Sequence, residues 1–324
     1  MIPDLRSSEA ISVIIRADVD AATRRLSGRV RRTPVAQMSP GTFAPAGQVW
    51  LKLEFMQHTG SFKPRGAFNR MLAAAQCGEL PAQGVIAASG GNAGLGVAYA
   101  AKSLGIPAEV YVPTTAPTVK VTKLVSLGAT VVQHGIEYAE AYEAATKQAA
   151  DTGALLCHAY DHPEICAGQG TVALELLDQV RELDTVVLAV GGGGLMAGIA
   201  TALEGQVAVV GVEPETIPTL RTALAAGRPV DIEVSGIAAD SLGARRIGTI
   251  AYEVAIRAGV RSVLVTDAAI IAARRLLWDH HRIVIEHGAA AAFAALNSGA
   301  YRPAAGERIM ILLCGANTDP TDLV

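Results

Sequence analysis

Thr185-Val-Val-Leu-Ala-Val190, Gly191-Gly-Gly-Gly194 and Leu195-Met-Ala-Gly-Ile-Ala-Thr-Ala-Leu203 follow one another without a break. Val186 to Leu203 carries no charge over 18 residues, near the length of a membrane span. Four consecutive glycines divide it, with a β-branched run before them and an Ala/Leu/Met run after. Strand, glycine turn and helix is the expected reading, and a transmembrane helix is not. The helix is expected to begin near Leu195 and to aim its N-terminal dipole at an anion. The glycines let backbone come close to that anion.

Working outward, the same alternation recurs. β-rich runs at Val49–Leu53, Val85–Ala88, Glu109–Val112, Thr130–Val132, Leu155–Cys157, Thr185–Val190, Val207–Val212, Ser262–Val265 and Ile309–Leu313 have helix-forming segments between them, such as Gly94–Leu104, Tyr138–Ala150 and Ala268–Leu277. This order predicts an α/β protein with mostly parallel, twisted sheets covered by helices. Nine strands exceed one small sheet, so two αβα domains are expected, 1–50 with 150–324 as the large one and 51–149 as the small one. The 324 residues are 51% apolar and 18% charged, as in a well-cored enzyme. A net charge of −3 gives no pull toward nucleic acid or anionic membranes. Cys77, Cys157, Cys166 and Cys314 form no zinc or CxxC spacing, which favours a reducing cytoplasm. Asp4, Arg6 and Glu9 argue against a signal peptide.

Three further segments carry chemistry. In Thr59-Gly-Ser-Phe-Lys-Pro-Arg-Gly-Ala67 a lysine sits on a tight turn entering a helix, beside the apolar Phe62. Burial there would lower the amine's pKa and make Lys63 a nucleophile toward an aldehyde. Ser89-Gly-Gly-Asn-Ala-Gly94 lies between a strand and a helix, where backbone N–H groups suit a carboxylate and Asn92 adds an amide. Leu313-Cys-Gly-Ala-Asn317 ends the last strand and places Cys314 at the edge of a cleft. A rival reading also exists. Gly192, Gly194 and Ala197 satisfy G-x-G-x-x-G/A, and Glu213 follows 21 residues after Gly192, as in a dinucleotide fingerprint with its ribose acid. That fingerprint usually opens its domain, whereas this one arrives past the middle, so a phosphate cup ranks above a nicotinamide-dependent oxidoreductase.

Together these segments resemble the fold-type II pyridoxal-phosphate enzymes, built like the tryptophan synthase β-chain, and within them the serine/threonine dehydratase family. Arg32-Thr-Pro34, Leu51-Lys-Leu-Glu54, Ala167-Gly-Gln-Gly-Thr171 and Glu213-Pro214 extend the resemblance from about Ala22 to Asp319. It implies Lys63 as the Schiff-base lysine, with Phe62 packed near the ring. It implies Gly191, Gly192, Gly193, Gly194 and Leu195 on the cofactor phosphate, and Ser89, Gly90, Gly91, Asn92 and Ala93 on the substrate carboxylate. Asn92 would also reach the cofactor's 3′-oxygen. The resemblance further implies that the large domain binds the cofactor while the small one closes over substrate, and that Cys314 stands at the pyridine nitrogen, as in liver-type serine dehydratases. A neutral thiol there disfavours a long-lived carbanion and suits elimination.

The resemblance implies dehydration of L-threonine or L-serine to a 2-oxo acid and ammonia, by a cytoplasmic homodimer that binds neither nucleic acid nor membrane. Lys63 would remove the α-proton, and the cofactor phosphate would help the β-hydroxyl leave. Gly90 stands where the family's racemases carry a serine, so a lyase is favoured over racemisation or β-replacement. A 3-hydroxyaspartate dehydratase would need a cation for the second carboxylate. A K+ or Mg2+ site is implied at Glu213, Ile217 and Thr219. Where relatives show Glu-Pro, this chain has Glu286-His287, and with His280 and His281 a metal cluster is conceivable. His158 and His162 read as structural. The chain ends soon after Asn317, so a C-terminal regulatory domain is not expected.

Overall fold

The computed structural model describes residues 13–39, 42 and 47–323. Asp4, Arg6 and Glu9, on which the signal-peptide reading rests, lie outside them. In chain order the main elements are α1 (Arg16–Leu26), β1 (Val35–Gln37), β2 (Gln48–Lys52), α2 (Lys63–Gln76), β3 (Val85–Ala88), α3 (Asn92–Leu104), β4 (Ala108–Val112), α4 (Thr118–Ser126), β5 (Thr130–Gln133), α5 (Tyr138–Thr152) and β6 (Leu155–Leu156). Then come α6 (Pro163–Gln179), β7 (Thr185–Ala189), α7 (Gly194–Leu203), β8 (Ala208–Pro214), α8 (Thr219–Ala226), α9 (Ala239–Leu242), α10 (Thr249–Ala258), β9 (Arg261–Val265), α11 (Asp267–His281), α12 (His287–Asn297) and β10 (Arg308–Leu312).

The strands form two sheets, a six-stranded one ordered β1-β2-β10-β7-β8-β9 and a four-stranded one ordered β5-β4-β3-β6. Every pairing is parallel except β1 with β2. All nine strands expected from sequence form. β1 was not foreseen, since three residues at an edge, none of them fully buried, carry no periodic signal. The expected boundary at 149/150 falls inside α5, and β6 pairs with β3, so the smaller sheet runs on to residue 156.

β7 is buried at all five positions, as a strand covered on both faces must be. α7 is buried at all ten, packed between α6 and α10. The α6–α7 crossing is so close that a Cβ on Gly198 would stand 2.1 Å from the Cys166 carbonyl oxygen. A Cβ on Gly170 would stand 2.4 Å from that of Gly198. Small residues in Ala167–Thr171 are thereby explained by helix contact. Among the described residues no helix is long and apolar enough to cross a membrane.

Strand order dictates where a site can form. In the large sheet the chain leaves β7 for β8 on one side, while β10 returns on the other. In the small sheet β3 is followed by β4 on one side, while β6 returns on the other. Loops diverge at such switch points and leave a crevice beyond the strands' carboxyl ends. The segments after β3, β7 and β10 are three of the four that the sequence singled out; the fourth, the Lys63 turn, follows β2.

Candidate active site

These loops surround a cavity of about 710 Å³. Phe62, Lys63, Ser89, Gly90, Gly91, Asn92, Ala93, Gly191, Gly192, Gly193, Gly194, Leu195 and Cys314 all line it. The cofactor and substrate residues expected from sequence thus face one space.

Lys63 opens α2. The preceding turn is set by Thr59 at φ 60° and Gly60 at φ 76°, and by two ties to the strand-end loop. Phe62 N–H donates to the Cys314 carbonyl at 3.1 Å, and Ala316 N–H donates to the Gly60 carbonyl at 2.9 Å. From below, Arg65 anchors the helix by donating to Glu54 at 2.5 and 3.1 Å and pairing with Glu175 at 2.7 Å. The Lys63 amine donates to the Ala159 carbonyl at 2.7 Å. Burial lowers its pKa to about 8, against the opposing pull of Cys314, Cys166 and Glu286. At neutral pH roughly a tenth of such amines are unprotonated, several hundred times more than for a solvated lysine.

The glycine cup lies between β7 and α7. Gly193 adopts φ 85°, which only glycine takes without strain. At Gly192 a Cβ would lie 2.3 Å from the ring of Tyr160, so that ring rests directly on the loop. The first turn of α7 leaves backbone N–H groups without helical acceptors beside the cavity. This cradle fits a phosphate.

Asn92 begins α3, and its orientation is set by a relay. The Thr59 carbonyl can only accept, so Asn317 turns its Nδ2 toward it, at 2.7 Å. The same nitrogen donates to Asn92 Oδ1 at 2.7 Å. Asn92 Nδ2 therefore faces Glu286, at 2.8 and 3.0 Å from its two oxygens.

Glu286 and Asn317 were missed as functional residues. The only sequence signal was that Glu286 occupies the place of the glutamate in a Glu-Pro motif. Glu286 precedes α12, is 6% exposed, and lines the cavity. Burial raises its pKa to about 7, although the Asn92 hydrogen bond opposes this. Burial, reinforced by the Glu286 charge, also pushes the Cys314 thiol up, so it stays protonated.

His158 holds its loop, as a structural residue would, since its Nδ1 accepts from the amides of Asp161 at 2.8 Å and Tyr160 at 3.2 Å; it also lines the cavity. The ring proton therefore sits on Nε2, and burial lowers its pKa so that the ring is neutral. One reading needs correction. The ribose-acid reading of Glu213 fails. That carboxylate is fully buried and accepts from Thr219 Oγ1 at 3.1 Å, Leu220 N at 2.6 Å, Arg221 N at 2.9 Å and Ser262 Oγ at 3.1 Å. It ties down the start of α8 and cannot reach a ribose.

Thr219 Oγ1 also lies 2.7 Å from the Gly191 carbonyl, and its single proton can go to that oxygen or to Glu213, which links Glu213 and Thr219 to the glycine cup. The Ile217 carbonyl accepts from Thr219 N–H at 3.1 Å. The oxygen-only donor set suits a hard cation, and the two hydroxyls can rotate to release lone pairs to one. Elsewhere, Glu286 turns to Asn92, while His280 and His281 are exposed at the end of α11. No group of three or more metal-type side chains forms among the described residues.

A buried, easily deprotonated lysine thus sits between a glycine cup at one helix start and a second helix start, each suited to an anion. The pyridoxal-phosphate dependent enzyme family matches residues 26–315, and the chain belongs to it. It is 38% identical to a phenylserine dehydratase of Ralstonia pickettii, over 91% of this chain and 90% of that one. It is 36% identical to an L-threonine ammonia-lyase of Thermotoga maritima, over 95% of this chain and 76% of that one. The solved structure of maize serine racemase superposes with a TM-score of 0.87 at 29% identity, covering 95% of this chain and 94% of that one.

Proposed function

We propose that this protein is an ammonia-lyase that converts a β-hydroxy amino acid, L-threonine or L-serine among them, to a 2-oxo acid and ammonia. The placement of Lys63 carries the reading: a neutral-poised amine at the floor of a cavity that offers an anion cradle on either side. Pyridoxal phosphate, when bound, supplies an electron sink that acidifies the hydrogen on the substrate's α-carbon. Gly191, Gly192, Gly193, Gly194 and Leu195 would hold its phosphate, and Phe62 would pack beside its ring. Asn92, oriented by Asn317 and Glu286, would reach the 3′-oxygen. Ser89, Gly90, Gly91 and Ala93 present the start of α3 to the substrate carboxylate.

Lys63 Nζ takes the α-proton. Position 90 is glycine and offers no proton to the opposite face, which favours elimination over racemisation. The protonated Cys314 thiol would present no charge to the cofactor's ring nitrogen, which would favour prompt loss of the β-hydroxyl. Across Cα–Cβ the substrate loses water. The released enamine takes water back at Cα and expels ammonia, leaving the 2-oxo acid.

The segment bearing the small sheet closes over the substrate, consistent with the Lys120–Asp240 ion pair that joins α4 to α9 at the cavity. A K+ or Mg2+ ion at Glu213, Ile217 and Thr219 would pin α8 to the glycine cup and take no part in the proton transfers. A homodimer in a reducing cytoplasm belongs to this proposal; all four cysteines are free.

The test is product analysis of the holoenzyme with L-threonine and L-serine. Equimolar 2-oxo acid and ammonia are expected; D-amino acid as the main product would replace this reading with racemisation. Repeating the assay after dialysis against tetramethylammonium addresses the ion, since unchanged activity would remove it from the proposal.

A further inference from the structure

The reaction fixes the substrate's α-carbon beside Lys63 but not what hangs from its β-carbon. Threonine carries one methyl there, and serine none. The cavity wall offers much more than a methyl needs. His158 directly precedes Ala159, whose carbonyl holds the Lys63 amine. Its ring meets Tyr160 edge-on at 4.8 Å between centroids and Tyr142 edge-on at 5.8 Å. Tyr142 in turn stacks with Tyr138, one helical turn earlier on α5, at 6.1 Å and 24°. Tyr138 is half exposed, so this run of rings leads from the reacting lysine to solvent, and all four rings line the cavity.

The run carries no charge. The His158 imidazole is neutral because its Nδ1 is committed to two backbone amides. Lys120 and Arg246 near the mouth are already paired, with Asp240 and Asp231, while Arg245 is exposed at the rim without a carboxylate partner among the described residues. A second carboxylate on the substrate would have to reach out to Arg245 or compete with those partners. An aromatic ring on the β-carbon would instead meet edges and faces of other rings, the arrangements aromatic pairs prefer.

We infer that the pocket is built for 3-hydroxy amino acids whose β-carbon bears an aromatic ring, with Tyr142 as the principal contact and Tyr138 and His158 beside it. This rests on the ammonia-lyase reading. The balance is that of the parent reaction: water leaves across Cα–Cβ and returns at Cα, ammonia departs, and a 3-aryl-2-oxo acid remains.

The experiment compares kcat/KM of the holoenzyme for L-threo-3-phenylserine and L-threonine. One or two ring contacts predict a preference of about tenfold or more for phenylserine. Tyr142→Ala should lower that ratio by about tenfold, and Tyr142→Phe should retain it. Should Tyr142→Ala not fold, Tyr138→Ala at the half-exposed mouth gives the same readout with a smaller shift. A wild-type ratio below one, or a ratio unmoved by the alanine variants, overturns the inference. Threonine turnover without phenylserine turnover overturns the substrate class alone. No 2-oxo acid from either removes the ammonia-lyase reading as well.

Discussion

Two groups of buried ionisable side chains flank the start of α2, and they are built on opposite rules. Arg65, 1% exposed, is clasped by Glu54 and Glu175, while Lys52 donates to Glu175 at 2.6 Å and Thr33 donates to Glu54 at 2.7 Å. Although burial pulls its pKa down, Glu54 and Glu175 hold the guanidinium's pKa above its ordinary value. Two residues earlier, Lys63 meets a carbonyl and the face of the Phe62 ring, and Glu286 across the cavity meets the Asn92 amide and the Asn317 backbone; neither is held in a salt bridge among the described residues. Burial therefore moves both toward their neutral forms. Complete pairing fixes a charge and makes scaffold. Incomplete pairing leaves a proton free to move and makes chemistry.

Breaking the incomplete side gives the largest effect. Lys63→Ala should lower 2-oxo acid formation by at least about 10³-fold, since it removes both the nucleophile and the base. Borohydride reduction followed by mass analysis should find pyridoxyl on wild type and none on the variant. In the wild type, covalent capture of the cofactor should quicken about tenfold per pH unit below 8 and level off above it, because only the neutral amine reacts. A pyridoxyl adduct on another lysine would refute the assignment. Breaking the complete side should act on stability. Arg65→Met leaves Glu54 and Glu175 without their main partner, at a cost of about 3–5 kcal/mol in denaturant unfolding. A loss below about 1 kcal/mol would mean that the cluster is not the anchor of α2.

The same contrast explains what the sequence reveals. The nine long strands and the segments after β3, β7 and β10 are legible because each is contiguous: a hydrophobic run, a turn, a helix start. Lys63 is legible because its turn is local. Glu286 is not, because its partner Asn92 lies 194 residues away and its raised pKa comes from burial that only tertiary packing creates. Asn317 acts through a carbonyl 258 residues away. His158 reads as a loop histidine until the fold sets α5 against it. Glu213 shows the converse failure: correct spacing for a ribose acid, with the carboxylate fully buried and turned to the start of α8 and to Ser262.

Glu286 offers the finest separation of the two kinds of burial, with the smallest expected effect. Its pKa rises on folding from 4.5 to about 7, so between those values the native state keeps a proton that the unfolded chain has lost. Stability from this group is complete below pH 4.5 and falls as pH climbs toward 7. At pH 8 the charged carboxylate therefore costs the cofactor-free protein of order 2–3 kcal/mol. Glu286→Gln removes the charge while its amide oxygen can still accept from Asn92. Its Tm should exceed that of wild type at pH 8, and the gap should close as pH falls to 4.5. The gain should coincide with a slower reaction, because Asn92 loses the charged acceptor that fixes its amide. A variant less stable than wild type at pH 8 would place Glu286 with Glu54, as a satisfied charge, and would dissolve the distinction between the two clusters.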